Sequence, residues 1–368
     1  MKIIVISPKN KTLFNFRGDL IKEMVAKGHE VVALGPNKDF MEDILKLGIK
    51  FREVPFSKDN TSIKGDFQYY LNLKKVIKEE KPELVFSYNI KPVIYSSLAA
   101  YHSGVRKIYP MIAGAGRIYG SDSLKIKMIR SITGVLYKTA FKCCNKVIFQ
   151  NTDDLEEFVG RKYLAKSKTV HVNGSGVNME RFKAVKLPEE PIFLMISRII
   201  KEKGIFEYLE AAKKVKKEYP EARFILLGGY DTSLGAIQPE ELQPYIDKGI
   251  IEFPGEVKNV VPILESARVF VLPTYYREGL PRTILESMSM GKPIITTDWN
   301  GCRDAVKDKV NGFLVNPKCS RELAEKMKDM LNNPKKTLEM GHKSLEICSE
   351  KYDVNIVNKH MLEIMGIQ

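Results

Sequence analysis

Short apolar runs alternate with stretches in which apolar residues recur every three or four positions, and the alternation runs the length of the chain. In the first half, residues 3–7, 30–34, 84–87, 107–112 and 146–150 are compact apolar runs bounded by polar residues or glycine, the pattern of buried strands. Residues 16–27, 66–80, 92–103 and 124–144 carry helical spacing between them. The second half repeats the rhythm, with strand candidates at 192–197, 223–227, 250–253, 269–272, 293–296 and 312–315. Strands separated by helices predict parallel sheets with helices on both faces. Near residues 182–191 the pattern is broken by Lys183, Lys186, Pro188 and Pro191, so two domains are expected, 1–184 and 185–350. A last helix at roughly 353–365 carries apolar Val354, Ile356, Val357, Met361 and Leu362, and segment 351–368 is expected to pack back on the first domain. The expected fold class is α/β: two doubly wound Rossmann-like domains facing across a cleft, with ligands outside the carboxyl ends of the strands.

Length and composition agree with this. A chain of 368 residues exceeds one ordinary core, and 44% hydrophobic with 28% charged residues is the composition of a soluble globular protein. No apolar run reaches about 18 to 20 residues, so no membrane-spanning helix is expected, and the opening run 2–7 is too short for a signal-peptide core. Five cysteines contain no C-x-x-C pair, and adjacent Cys143 and Cys144 disfavour an ordinary disulfide, which points to a reducing cytoplasm. Charge changes the picture more. Residues 1–184 hold 32 Lys+Arg and 18 Asp+Glu, whereas the rest hold 27 of each, so the whole net charge of +14 lies in the first half. A basic half implies an anionic partner: nucleic acid, an anionic membrane or an acidic substrate.

The densest chemistry is the segment Tyr276-Arg277-Glu278-Gly279-Leu280-Pro281-Arg282-Thr283-Ile284-Leu285-Glu286, which follows the strand candidate 269–272 and Pro273. Pro281 suits a first helical turn, and Gly291 with Pro293 suits that helix's end. Glu278 therefore lies in a loop and Glu286 on a helix, with backbone N–H groups able to bind phosphate at the helix start between them. Upstream, Arg198 closes a strand and Lys203 follows before a helix; a guanidinium fork and an ammonium there could neutralise a diphosphate. Carboxylates near such a site can accept hydrogen bonds from sugar hydroxyls.

These residues resemble the glycosyltransferases of family 4, retaining enzymes of GT-B fold. The similarity rests on Ser197-Arg198 with Lys203-Gly204, Gly228-Gly229, Gly255-Glu256-Val257, Pro273 with the Arg277–Pro281 segment, Glu286, Gly291-Lys292-Pro293-Ile294-Ile295, and Asn311-Gly312-Phe313-Leu314-Val315, with 173–182 also matching. The resemblance implies that Arg198 and Lys203 hold the donor diphosphate and that Glu278 contacts the donor sugar. It also implies that Gly279, Leu280 and Pro281 line the phosphates, Glu286 binds ribose hydroxyls, and Glu256 and Val257 meet the base. On the acceptor side, Asn15 and Arg17 beyond the loop Ser7-Pro8-Lys9-Asn10, and Gly114 and Gly116, are the expected contacts.

The chain departs from the family in its first half. The first loop lacks the glycine pair of many relatives, and Met111-Ile112-Ala113-Gly114-Ala115-Gly116-Arg117 lacks their histidine. Gly114-Ala115-Gly116 does not complete G-x-G-x-x-G, because Tyr119 holds the third position, so no NAD site is expected. No H-x-x-H, C-x-x-C or Asp-x-Asp occurs, and neither a metal nor a cofactor is expected. The resemblance implies transfer, with retention, from a nucleotide diphosphate sugar, most simply a UDP sugar, to a polyprenyl-diphosphate-linked saccharide. The enzyme would be cytoplasmic and peripheral to the inner face of the membrane. Residues 123–146 carry Lys125, Lys127, Arg130, Lys138, Lys142 and Lys146 interleaved with apolar residues, and form the expected contact with an anionic surface. Two other readings are a UDP-sugar epimerase on the same architecture and a nucleic-acid-binding protein. The latter lacks a basic recognition helix or an aromatic-interleaved strand, and nucleic acid is not an expected partner.

Overall fold

The computed structural model describes residues 1–56, 62–120, 123–233 and 235–368. The chain forms two compact units, Met1–Ser175 with Val354–Gln368, and Gly176–Asp353.

Unit 1 is a seven-stranded parallel sheet: β1 (Lys2–Ile6), β2 (Glu30–Gly35), β3 (Lys50–Glu53), β4 (Leu84–Tyr88), β5 (Lys107–Ile112), β6 (Val147–Phe149) and β7 (Thr169–His171), in the order β3-β2-β1-β4-β5-β6-β7. Alternation along β1 sends Ile3 and Val5 to one face and Ile4 and Ile6 to the other. Against the first face pack Leu13, Leu20, Ile21 and Met24 of helix Asn10–Ala26, together with Val357, Met361, Leu362 and Met365 of the C-terminal helix Val354–Met365. Against the second pack helices Ile63–Glu80, Ile90–Tyr101 and Leu124–Lys142, through Tyr69, Leu73, Val93, Ile94, Tyr137 and Phe141. Strands β3 and β7 carry no apolar run. They are the two sheet edges, and the polar Lys50-Phe51-Arg52-Glu53 buries no residue fully.

Unit 2 holds β8 (Ile192–Ile196), β9 (Arg223–Leu227), β10 (Glu252–Gly255), β11 (Val269–Leu272), β12 (Ile294–Thr297) and β13 (Gly312–Val315), in the order β10-β9-β8-β11-β12-β13. Val269-Phe270-Val271-Leu272 is buried throughout, as a central parallel strand covered on both faces must be. The chain steps outward from β8 through β9 to β10 and returns to the other side of β8 at β11. The topological switch point is therefore the crevice between β8 and β11.

The units divide at Ser175/Gly176 and Asp353/Val354, not at the expected 184/185 and 350/351. Packing explains the shift: Val177 and Phe182 are buried in the unit 2 core, and the Val177 amide donates to the Tyr352 carbonyl at 2.8 Å. In the C-terminal helix Ile356 lies on the exposed side, whereas its four expected companions are buried.

Candidate active site at the switch point of the second sheet

Three loops meet where β8, β9 and β11 end. Arg198 follows β8; its Nη1 donates to Asp231 Oδ2, in the loop after β9, at 2.7 Å. Burial alone would raise the Asp231 pKa, but hydrogen bonds from the Ser233 hydroxyl and amide, then Arg198, hold its carboxyl far below the usual range. Lys203 closes the 3-10 turn Lys201–Lys203, and its Nζ donates to the carboxylate of Glu278 in the loop after β11. Both cations approach the Tyr276 ring, with the Arg198 guanidinium 5.8 Å and the Lys203 ammonium 5.6 Å from its centroid.

Backbone contacts fix this register. The Tyr275 amide and the Thr274 hydroxyl both donate to the Glu202 carbonyl, at 2.8 and 3.1 Å, tying the loop after β11 to the turn that bears Lys203. Gly204 begins the next helix at φ 79°, and a Cβ there would overlap the Pro273 carbonyl, so only glycine lets the turn close on the strand end. On the other side, Gly301 at φ 76° lies against the Gly279 and Glu278 carbonyls.

Helix Arg282–Ser289 begins one residue later than the sequence suggests. Pro281 has extended dihedrals and occupies the N-cap, because its ring sets φ without requiring a helical ψ. Gly291 at φ 74° ends the helix in the left-handed conformation. Gly279, Leu280 and Pro281 are buried beneath the loop. Glu286 projects from the helix into a nearly closed environment, 3.2 Å from Arg282 Nε, and burial raises its pKa against the opposing fields of Arg282 and Arg181. Glu256 is exposed after β10, with its carboxylate against Gly229, while Val257 packs half-buried on the core. The structure thus gathers Arg198, Lys203, Glu278 and Gly279–Pro281 at one crevice, and sets Glu286 and Glu256–Val257 on neighbouring elements of the same unit.

The unit 1 candidates divide. Helix Asn10–Ala26 starts earlier than the expected residue 16, so Asn15 stands within it beside Arg17. Arg17 is 4% exposed, its Nη2 lies 2.8 Å from Met111 Sδ, and its guanidinium covers the Tyr88 ring at 5.2 Å. This places Arg17 in the packing beneath the strand ends, while Asn15 keeps partial exposure. Gly114 and Gly116 both adopt positive φ, 101° and 69°, and the Ala115 amide between them donates to the buried Asp154 carboxylate at 2.8 Å. That carboxylate also accepts from the Asn151 side-chain amide, and Asn151 caps the following helix, so the glycine loop is tied to that helix start. His102 lies at a helix end with its Nδ1 2.9 Å from Tyr70 Oη.

Asp231 and Tyr276 are the site residues that sequence reasoning missed. Asp231 follows Gly228-Gly229 with no spacing signal of its own. Tyr276 lies inside the segment that drew attention, where its place before Glu278 was the only clue.

Two family models match the chain: "Glycosyl transferase 4-like" over residues 2–151 and "Glycosyl transferases group 1" over residues 177–346. The chain belongs to glycosyltransferase family 4, enzymes of GT-B fold, and is a glycosyltransferase. It is 26% identical to the N,N'-diacetylbacillosaminyl-diphospho-undecaprenol alpha-1,3-N-acetylgalactosaminyltransferase of Campylobacter jejuni, over 99% of this chain and 98% of that protein. It is also 26% identical to the UDP-Gal:alpha-D-GlcNAc-diphosphoundecaprenol alpha-1,3-galactosyltransferase of Escherichia coli, over 76% of this chain and 73% of that one. Among solved structures, Anabaena HepE in complex with UDP matches all of both chains with a TM-score of 0.79 at 15% identity, which speaks to fold.

Proposed function

We propose that the enzyme transfers a sugar from a UDP sugar, with retention of configuration and without a divalent metal, to a saccharide carried on a polyprenyl diphosphate in bacterial glycan assembly. The observation that carries the reading is the convergence of Arg198, Lys203 and Glu278 at the unit 2 switch point, where open α/β sheets bind ligands. The names of both relatives, with acceptors on diphosphoundecaprenol and alpha linkages, support the acceptor class, and support retention for a donor that is itself alpha-linked.

In this reading the bond between the sugar C1 and the β-phosphate oxygen breaks as an acceptor hydroxyl oxygen bonds to C1 on the same face. The acceptor proton passes to the departing phosphate oxygen. Charge grows on the diphosphate, and Arg198, Lys203 and the backbone around Leu280 stabilise it; side-chain cations there take the part a metal plays elsewhere. Glu278 orients the sugar, Glu286 the ribose, and Glu256 with Val257 the base. Among unit 1 residues, the Gly114–Gly116 loop and Asn15 remain the acceptor contacts proposed.

The test is incubation of the full chain with UDP, GDP and ADP sugars, with and without polyprenyl-diphosphate saccharides, and mass detection of products. One added sugar on the lipid-linked acceptor from a UDP donor is expected. Conversion of the UDP sugar, with no acceptor present, into a UDP sugar of equal mass and different chromatographic retention would replace transfer by epimerisation.

A further inference from the structure

Unit 1 exposes two apolar stripes on one face of its sheet. Helices Ile63–Glu80 and Leu124–Lys142 pack on either side of helix Ile90–Tyr101 over the face that β1 lines with Ile4 and Ile6. On the first, Ile63, Phe67 and Leu71 are spaced by single helical turns; on the second, Leu124, Met128, Ile132 and Val135 are. All seven are between 40% and 87% exposed, although each helix also has a well-filled inner side. Large apolar side chains left in water in two rows mark a surface that is covered in use.

Charge says by what. Helix Leu124–Lys142 contains no acidic residue, and Lys125, Lys127, Lys138 and Lys142 are exposed along it. Of the six basic residues expected to act in this stretch, two are otherwise engaged: Arg130 turns inward to the Ile118 carbonyl at 2.7 Å, and Lys146 lies beyond the helix, bonded to the Ser167 carbonyl. On the first helix Lys64, Lys75 and Lys78 are exposed. Its acidic residues are tied down, Asp66 by Lys91 and Tyr95, and Glu79 and Glu80 by Arg52. Apolar rows bordered by exposed ammonium groups suit an interface where acyl chains meet anionic head groups.

We propose that both helices dock on an anionic bilayer, the apolar rows entering the acyl boundary and the lysines contacting head groups. The proposal rests on the lipid-linked acceptor reading only in that such an acceptor resides in a bilayer. The surface itself is argued from exposure and charge.

The test is flotation of the full chain with vesicles of phosphatidylcholine, with and without phosphatidylglycerol. Binding is expected only to the anionic vesicles and should weaken with salt. The variants Phe67→Ser/Leu71→Ser and Leu124→Ser/Met128→Ser/Ile132→Ser should each reduce partitioning about tenfold or more, and together abolish it. These are exposed positions, and unchanged melting curves establish that the variants fold. Parental binding by either variant overturns the two-helix surface. So does a parent that self-associates through these rows, becoming monomeric in the variants while vesicle binding persists. Transfer to a short-chain, water-soluble acceptor should survive in both variants. A parent that binds vesicles but transfers to no lipid-linked acceptor leaves this surface standing and removes the acceptor reading instead.

Discussion

The Lys203 ammonium donates to the Glu278 carboxylate, and the two side chains are withdrawn from water, at 12% and 16% exposure. A pair so placed does more than decorate a loop, because each partner offsets part of the other's lost hydration. In the proposed reading, a donor diphosphate arriving at this crevice would compete with Glu278 for the ammonium and leave Glu278 free to accept from a sugar hydroxyl.

Glu278→Gln should therefore separate binding from chemistry. UDP affinity should hold or rise a few-fold, because Lys203 loses its internal competitor. The turnover number should fall by about a hundredfold if the sugar contact tightens as the bond breaks. Calorimetry with UDP and steady-state kinetics give the two numbers. Weakened UDP binding with turnover intact would place Glu278 on the nucleotide instead.

Burial raises the Glu286 pKa above the ordinary value of 4.5. The folded protein thus holds a proton that the unfolded chain releases, and stability declines as pH rises from about 4.5 through the raised folded value, beyond which the full cost is present. Glu286→Gln should raise the melting temperature at neutral pH, with the gain fading in acid. If ribose hydroxyls bind the carboxylate, UDP affinity of the parent should increase with pH over the same window, and the variant should lose that dependence. A flat profile in the parent separates Glu286 from the nucleotide.

Gly301 tests the architecture rather than the charges. Alanine at φ 76° is strained by about 1–3 kcal/mol, and its Cβ would overlap the Gly279 carbonyl, so the Glu278–Gly279 backbone must shift. Gly301→Ala should lower stability by that amount and transfer by about tenfold or more, since small displacements of positioning groups are costly. Denaturant titration beside activity measures both. An unaffected variant would mean the loop has slack.

Transfer should continue in EDTA if, as proposed, Arg198 and Lys203 supply the positive charge at the leaving diphosphate. Loss of activity in the chelator, restored by magnesium or manganese, would overturn this.

Much of this architecture was legible in the sequence, for identifiable reasons. Central parallel strands such as β11 are buried on both faces and announce themselves as unbroken apolar runs. The edge strands β3 and β7 bury little, so they read as polar connections. The loops that bear Arg198, Lys203 and Glu278 were found because their residue types and their places after strands coincide. Asp231 was missed because its role comes from a distance of 2.7 Å across two loops, which no spacing encodes. Arg17 shows the converse: its neighbours in sequence give no sign of enclosure, and only the packed rings of Phe86 and Tyr88 reveal it.

The measurement that tests the central claim most directly is calorimetric UDP binding to the parent, Arg198→Ala and Lys203→Ala. Each charge-assisted contact to the diphosphate contributes about 1.5–3 kcal/mol, so each substitution should weaken UDP binding by about tenfold or more while the fold, followed by circular dichroism, is kept. Parental affinity in both variants would show that the donor diphosphate binds elsewhere.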